Sequence, residues 1–276
     1  MNVQKINAQN NITSFKSAHR VYDTRLVNSF KSFGNKYVHT TTNLFREDFD
    51  WTNLARYISY HFADKSKVNA YSLACSDGSE AYTYAISLIE EVGQNFSKYF
   101  PIKAFDIDYE TIDYAKSGRI NVYGGEFNVV KKLGIDLKKY FINPFLPKQY
   151  SNDEMYLYIN SASYEPTKEL RSCVEFNQSD ILTELKKIKD DGNSVVMCRN
   201  VMPYLSPEYV DEIVQTAKEN LKEGSLFITG DYDHRCDIEE KLFNNGFYRP
   251  FINNNNLFER GDAKKLINRL LMGYLI

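Results

Sequence analysis

The sequence predicts an α/β domain in which short buried strands alternate with helices around a mostly parallel sheet. Three observations carry this reading. Apolar runs of strand length recur along the chain: Tyr71–Cys75, Ile102–Phe105, Ser194–Cys198 and SLFITG at 225–230. Turn-forming residues follow them, and then segments with apolar residues at helical spacing, which is the pattern of βαβ winding. No internal repeat and no linker rich in Pro, Gly or Ser divides the 276 residues, so one domain with a decoration accounts for the length.

Taken in order, residues 1–12 are polar, and Thr13 to Phe33 has helical spacing. Thr13 is the cap there, Phe15, Tyr22, Leu26, Phe30 and Phe33 form a stripe, and Gly34 is the terminator. Residues 1–40 are therefore expected to form an arm and helix ahead of a main domain at 41–276. Leu54, Tyr57, Ile58 and His61 mark the next helix. Before it stand Thr42 and Arg46, polar residues among aromatics, for which solvation is the plain reading. Tyr71–Cys75 then runs as a strand into Ser76-Asp77-Gly78-Ser79. From Glu80 onward, Ala81, Tyr84, Ala85, Leu88 and Ile89 share a helix face. A strand, turn and helix in this order aim backbone N–H groups and a positive helix end at one point, and Glu80 adds a carboxylate there. With one glycine the turn is neither a dinucleotide fingerprint nor a phosphate loop, and an ordinary βα turn is the competing reading.

Ile102–Phe105 ends in Asp106-Ile107-Asp108, and a helix from about Glu110 closes at Gly118. An acidic residue ending the second strand is where α/β nucleotide sites hold ribose hydroxyls. A helix cap beside a solvent charge is the alternative. Residues 119–172 are less regular. KKLGIDLKKYF is basic and amphipathic, MYLYINSASY alternates like hairpin strands, and the segment reads as a small inserted β-subdomain with solvated lysines. Alternation resumes with Val174–Phe176 as a short strand, Asn177-Gln178-Ser179-Asp180 with a helix or turn, and Ser194–Cys198 ending in Arg199-Asn200. Pro207 to Leu221 is a helix with proline in its first turn. After SLFITG comes DYDHRCD, read as an acidic loop at a strand end, with a metal site as the weaker option. Ile238–Asn245 is helical with Gly246 beyond it. NLFER at 256–260 is a last strand, and Asp262 to Tyr274 is a C-terminal helix.

Composition excludes several classes. A net charge of -2 and a pI near 6.1 argue against a broad basic face for nucleic acid. Cys75, Cys173, Cys198 and Cys236 are widely spaced without any CxxC, which fits small buried thiols in a reducing compartment. The N-terminus lacks the apolar core of a signal peptide. No uninterrupted apolar run reaches membrane-spanning length. A cytoplasmic protein without membrane insertion is expected.

Set side by side, the strand ends resemble the CheR family, the S-adenosylmethionine-dependent protein-glutamate methyltransferases of bacterial chemotaxis. The strings that carry the resemblance are TNLFRE, ACSDGSEAYT, AFDID with AKSGRINVY, VEFNQSDIL, MCRNVMPYL and LKEGSLFITGDYD, in family order from about residue 40 to 260. The resemblance implies a Rossmann-like class I methyltransferase fold with S-adenosylmethionine as cofactor. Thr42 and Arg46 would lie beside the cofactor and the incoming substrate. Gly78 would let the backbone approach the methionine part, Glu80 would hold its polar end, and Asp106 would accept the ribose hydroxyls, with Asp108 in reserve. Asp180 falls where the family has an Asn facing the adenine. Asn200 and Tyr204 would border the transferred methyl, with Arg46 and Tyr204 aligning the acceptor. The implied partner is a protein with an exposed glutamate, of the chemoreceptor kind. A methyltransferase for a small molecule and a non-catalytic S-adenosylmethionine-binding signalling module are the alternatives.

The chain also departs from the family pattern. The segment before TNLFRE is short beside the family's usual N-terminal helical domain. Ser79-Glu80-Ala81 stands for E-E-P, Pro203 for an aliphatic residue, and Gly230-Asp231-Tyr232-Asp233 for G-H-S-E.

Overall fold

Each central strand sends alternate side chains into two different cores. Ala70, Ile102, Ala104, Val195, Met197, Leu226, Ile228 and Leu257 enter one, while Tyr71, Leu73, Phe105, Val196, Cys198, Phe227 and Phe258 enter the other. A sheet buried on both faces needs helices on both, and that is why its strands are near-continuous apolar runs. The computed structural model describes residues 42–122, 129–142, 162–189, 192–250 and 256–262. The expected N-terminal arm and helix, most of MYLYINSASY, and the C-terminal helix beyond Asp262 lie outside the described residues.

The main sheet has seven strands in the order β6-β2-β1-β7-β8-β10-β9. These are β1 (Asn69–Leu73), β2 (Ile102–Asp106), β6 (Val174–Gln178), β7 (Ser194–Met197), β8 (Leu226–Ile228), β9 (Phe247–Tyr248) and β10 (Leu257–Arg260). The first five in that spatial row pair in parallel, and β10 runs antiparallel to both of its neighbours. Helices α1 (Trp51–His61), α2 (Ser79–Val92) and α3 (Tyr109–Ser117) pack residues such as Leu54, Ile58, Ala81, Ala85 and Ile112 into the first core. Helices α4 (Ile181–Lys187), α5 (Pro207–Asn220) and α6 (Ile238–Asn244) cover the opposite face through Leu185, Val210, Ile213, Ala217 and Leu242.

Between α3 and β6 the chain forms a separate three-stranded antiparallel sheet, ordered β3-β5-β4, from Ile120–Val122, Ala162–Pro166 and Phe141–Ile142. Two details differ from the sequence reading. The acidic stretch after β8 is a 3-10 helix, Asp231–Cys236, and a further strand, β9, lies at Phe247–Tyr248. Two residues carry no readable period, so β9 shows itself only through its pairing with β10. Among the described residues no helix is long and apolar enough to cross a membrane. All four cysteines are free thiols, three buried and Cys236 partly exposed.

Candidate active site at the strand tips

In this strand order the chain winds outward from β1 through β2 to β6, then returns to the other side of β1 to lay down β7 and β8. The reversal lies between β1 and β7, and open α/β sheets bind ligands outside the strand C-terminal ends at such a point. The candidate residues stand at these ends.

The loop after β1 is tightly wound, with left-handed backbone at Ala74 (φ 62°), Ser76 (φ 51°) and Gly78 (φ 90°). Gly78 is required twice over, because a Cβ there would also stand 2.6 Å from the Phe176 ring. The loop is tied to the neighbouring strand tip. The Cys75 N–H donates to the Phe105 carbonyl at 2.8 Å, and the Ser76 N–H donates to Asp106 Oδ2 at 2.9 Å. The Asp108 N–H reaches Asp106 Oδ1 at 3.0 Å, so two backbone donors orient the Asp106 carboxylate. Asp108 is the cap of α3. It accepts from the Glu110 N–H and the Thr111 hydroxyl, and it is buried. Burial pushes the neighbouring Asp77 carboxyl up to about 6, against a bond from the Ser79 N–H.

Glu80, in the first turn of α2, points back under the loop. It accepts from the Ser72 hydroxyl at 2.8 Å and from the Arg199 guanidinium at 3.1 Å. Burial raises its carboxyl above the ordinary value, and Arg199 pulls the other way. Arg199 is itself buried. It donates to Asp48 Oδ1 at 2.8 Å and lies 4.8 Å from the ring centres of both Phe49 and Trp51. On its other oxygen Asp48 accepts from Asn200 Nδ2 at 3.0 Å and forms an ion pair with Arg46 Nε at 3.2 Å. Arg46, Glu80 and Asn200 thus belong to one polar network, joined through two residues the sequence reading did not nominate, Asp48 and Arg199. A cation ending an all-apolar strand signals a buried carboxylate partner, which is the cue that points to Arg199.

Arg46 is held along its backbone as well. Phe45 (φ 51°) donates its N–H to Thr83 Oγ1 at 2.9 Å, and Trp51 Nε1 donates to the Arg46 carbonyl at 3.2 Å. The Arg46 guanidinium stands 5.2 Å from the ring centre of the exposed Tyr232. Asn200 has φ 56°, and its Oδ1 accepts from the Tyr232 N–H at 3.2 Å. Asp233 fixes this corner. Its fully buried carboxylate accepts N–H bonds from Gly230, Asn200 and Met202, and burial lifts it to about 6 despite those bonds. Thr42 and Tyr204 are half-buried on the segments that flank the network. Asp180, one strand further out, caps α4 by accepting from the Thr183 N–H at 2.9 Å, and the Tyr209 hydroxyl reaches it at 3.4 Å. Among the described residues no group of three or more His, Cys, Asp or Glu is placed to hold a metal.

The sequence model of the family described as CheR methyltransferase, SAM binding domain, matches residues 40–245. The chain belongs to the CheR methyltransferase family. Chemotaxis protein methyltransferase 2 of Pseudomonas aeruginosa is 28% identical over 199 residues, covering 72% of this chain and 64% of that protein. A chemotaxis protein methyltransferase of Listeria innocua is 25% identical over 187 residues, covering 67% of this chain and 62% of that protein. The chain therefore spans somewhat less than two thirds of the length of these two relatives. A magnesium protoporphyrin IX methyltransferase from Synechocystis with bound SAM aligns over 90% of this chain and 89% of that chain. It does so at 13% identity and a TM-score of 0.34, too slight a likeness to carry any argument. The seven-stranded order with one antiparallel strand is the class I methyltransferase arrangement of the Rossmann-like fold.

The cofactor of the CheR domain is S-adenosylmethionine, and the strand tips suit it. Asp106 is an oriented acceptor at the end of β2, the right chemistry for a ribose diol. The loop beside it buries the Ser76 and Ser79 hydroxyls without a hydrogen-bond partner among the described residues, and buried hydroxyls ask for one. Glu80 differs from the expectation in one respect: its oxygens already serve Ser72 and Arg199.

Proposed function

We propose that this chain transfers the methyl group of S-adenosylmethionine to the side-chain carboxylate of a protein glutamate, in an acceptor of the chemoreceptor kind. The observation that carries the reading is the Arg46 guanidinium, held in one network with Asn200 and Glu80 beside the switch point. Membership of the CheR family supports it, as do the chemotaxis methyltransferase names of the relatives.

Bound, the cofactor supplies a sulfonium methyl group as the electrophile. A glutamate near pKa 4.3 is already ionised at neutral pH, so the chain has no general base to provide. Its work is alignment. Arg46 carries a planar fork of donors matched to a carboxylate, and Tyr204, at the end of the 3-10 turn Met202–Tyr204, limits the angle of approach. Phe49, Trp51 and the cores beneath keep the floor of the site dry, which favours a reaction that joins opposite charges. Alignment of this kind is worth up to roughly 7–11 kcal/mol.

The test is incubation of purified protein with methyl-labelled cofactor and candidate receptor protein, followed by alkaline treatment. Base-labile label on protein glutamate is expected. Label confined to small molecules would replace this reading with a small-molecule methyltransferase, and cofactor binding without any transfer would leave a non-catalytic module.

A further inference from the structure

Asp48 was marked by no motif, yet its carboxylate ties Arg46, on its own segment, to Arg199 and Asn200 on a distant one. Oδ1 takes the Arg199 guanidinium at 2.8 Å. Oδ2 accepts from Asn200 Nδ2 at 3.0 Å and makes an ion pair with Arg46 Nε at 3.2 Å. Its side chain is 12% exposed and that of Arg199 only 2%, so these bonds act with little screening. Arg46 is thus fixed along one edge by Asp48, along one face by the Tyr232 ring, and along its backbone by Trp51 and Phe45. The same carboxylate, through Arg199, is one ion pair away from Glu80 on α2.

We infer that Asp48 is the positioning residue that sets the plane of the Arg46 guanidinium relative to the β7 tip, and so aligns the acceptor carboxylate; this rests on the methyl-transfer reading above. A carboxylate is needed, because an amide in its place turns an N–H either toward Arg199 or toward Asn200 and Arg46. In Asp48→Asn the negative charge is also gone, so Arg46 loses its ion-pair partner.

Two measurements test this. In steady-state kinetics, Asp48→Asn lowers kcat about a hundredfold, as a misplacement of around an ångström does. Its calorimetric affinity for S-adenosylhomocysteine stays close to wild type, and Asp48→Glu recovers part of the loss. Because Asp48 acts through Arg46, adding Asp48→Asn to Arg46→Ala costs little more than Arg46→Ala alone. Equal losses of turnover and cofactor affinity, or full additivity with Arg46→Ala, would overturn the assignment. The second measurement needs no turnover. Nitrogen-15 spectra of arginine-labelled protein show a slowly exchanging Arg46 Nε–H, identified by its loss in Arg46→Ala, and this signal collapses in Asp48→Asn. A signal unchanged by Asp48→Asn sinks the clamp. A wild-type protein that shows the signal but transfers no methyl group instead sinks the methyl-transfer reading.

Discussion

Arg199 sits between two carboxylates and against two aromatic rings, with 2% of its side chain exposed. Removing one member of such a buried set leaves the others uncompensated, at about 3–5 kcal/mol. Arg199→Met is therefore expected to lower the unfolding free energy in urea by that amount. Arg199→Lys, which keeps the charge and loses the fork, should lose less; equal stability of Met variant and wild type would contradict the network. Asp106 makes the complementary prediction. Hydrogen bonds to charged groups are worth about 1.5–3 kcal/mol, so Asp106→Ala should weaken S-adenosylhomocysteine binding roughly tenfold or more by calorimetry. An affinity unchanged in the variant would remove Asp106 from the ribose. The place of Asp106 at the tip of β2 was legible because an apolar run of strand length ends there in an acid. Asp48 was not, because its partners Arg199 and Asn200 lie 151 and 152 residues away and an Asp in a polar stretch looks solvated. Asp108 and Asp180 show the opposite case, acids whose oxygens serve as helix caps.

At the scale of elements, two glycines let loops approach closely. Gly78 combines φ 90° with a Phe176 carbon 2.6 Å from where a Cβ would stand. Gly230 has ordinary backbone, but a Cβ there would lie 2.3 Å from the Asn200 side chain. Gly78→Ala should cost about 1–3 kcal/mol from backbone strain and overpacking together, read as a fall in urea midpoint. Gly230→Ala should push Asn200 off Asp48, and its signature is a loss of turnover larger than its loss of stability. The reverse order in the Gly230 variant would mean that the Asn200 corner is only scaffolding. Strands β1, β7 and β8 could be read in advance because burial on both faces makes them near-continuous apolar runs, and β2 because only Lys103 interrupts its run before Asp106. Strand β9 could not, since two residues take their conformation from a partner strand rather than from their own pattern. By its pattern the stretch after β6 reads equally as a helix or a turn; the Asp180 bond to the Thr183 N–H decides for helix α4.

Across the whole molecule, several carboxyls are held above their ordinary values by burial: Asp77 and Asp233 at about 6, with Glu80 also raised. Between about pH 4 and 6 the folded chain then binds more protons than the unfolded chain, so these groups make stability fall as pH rises through that window. Asp233→Asn removes one contributor. The difference between wild-type and variant unfolding free energies should shrink as pH rises from 4 to 6, and a difference that widens would reverse the assigned sign. The alternation of strand and helix around a mostly parallel sheet was open to inspection because parallel winding repeats the same strand, turn and helix. The three-stranded sheet between α3 and β6 breaks that rhythm, since its strands are short and antiparallel and carry little pattern of their own. The thiols extend the picture to time. Cys75 and Cys198 stand just past the tips of β1 and β7, fully enclosed and held protonated far above the usual range, while Cys236 is partly open. An alkylating reagent should therefore mark Cys236 first and the inner pair only when the middle of the sheet parts, which makes these three sulfurs a built-in clock for its opening.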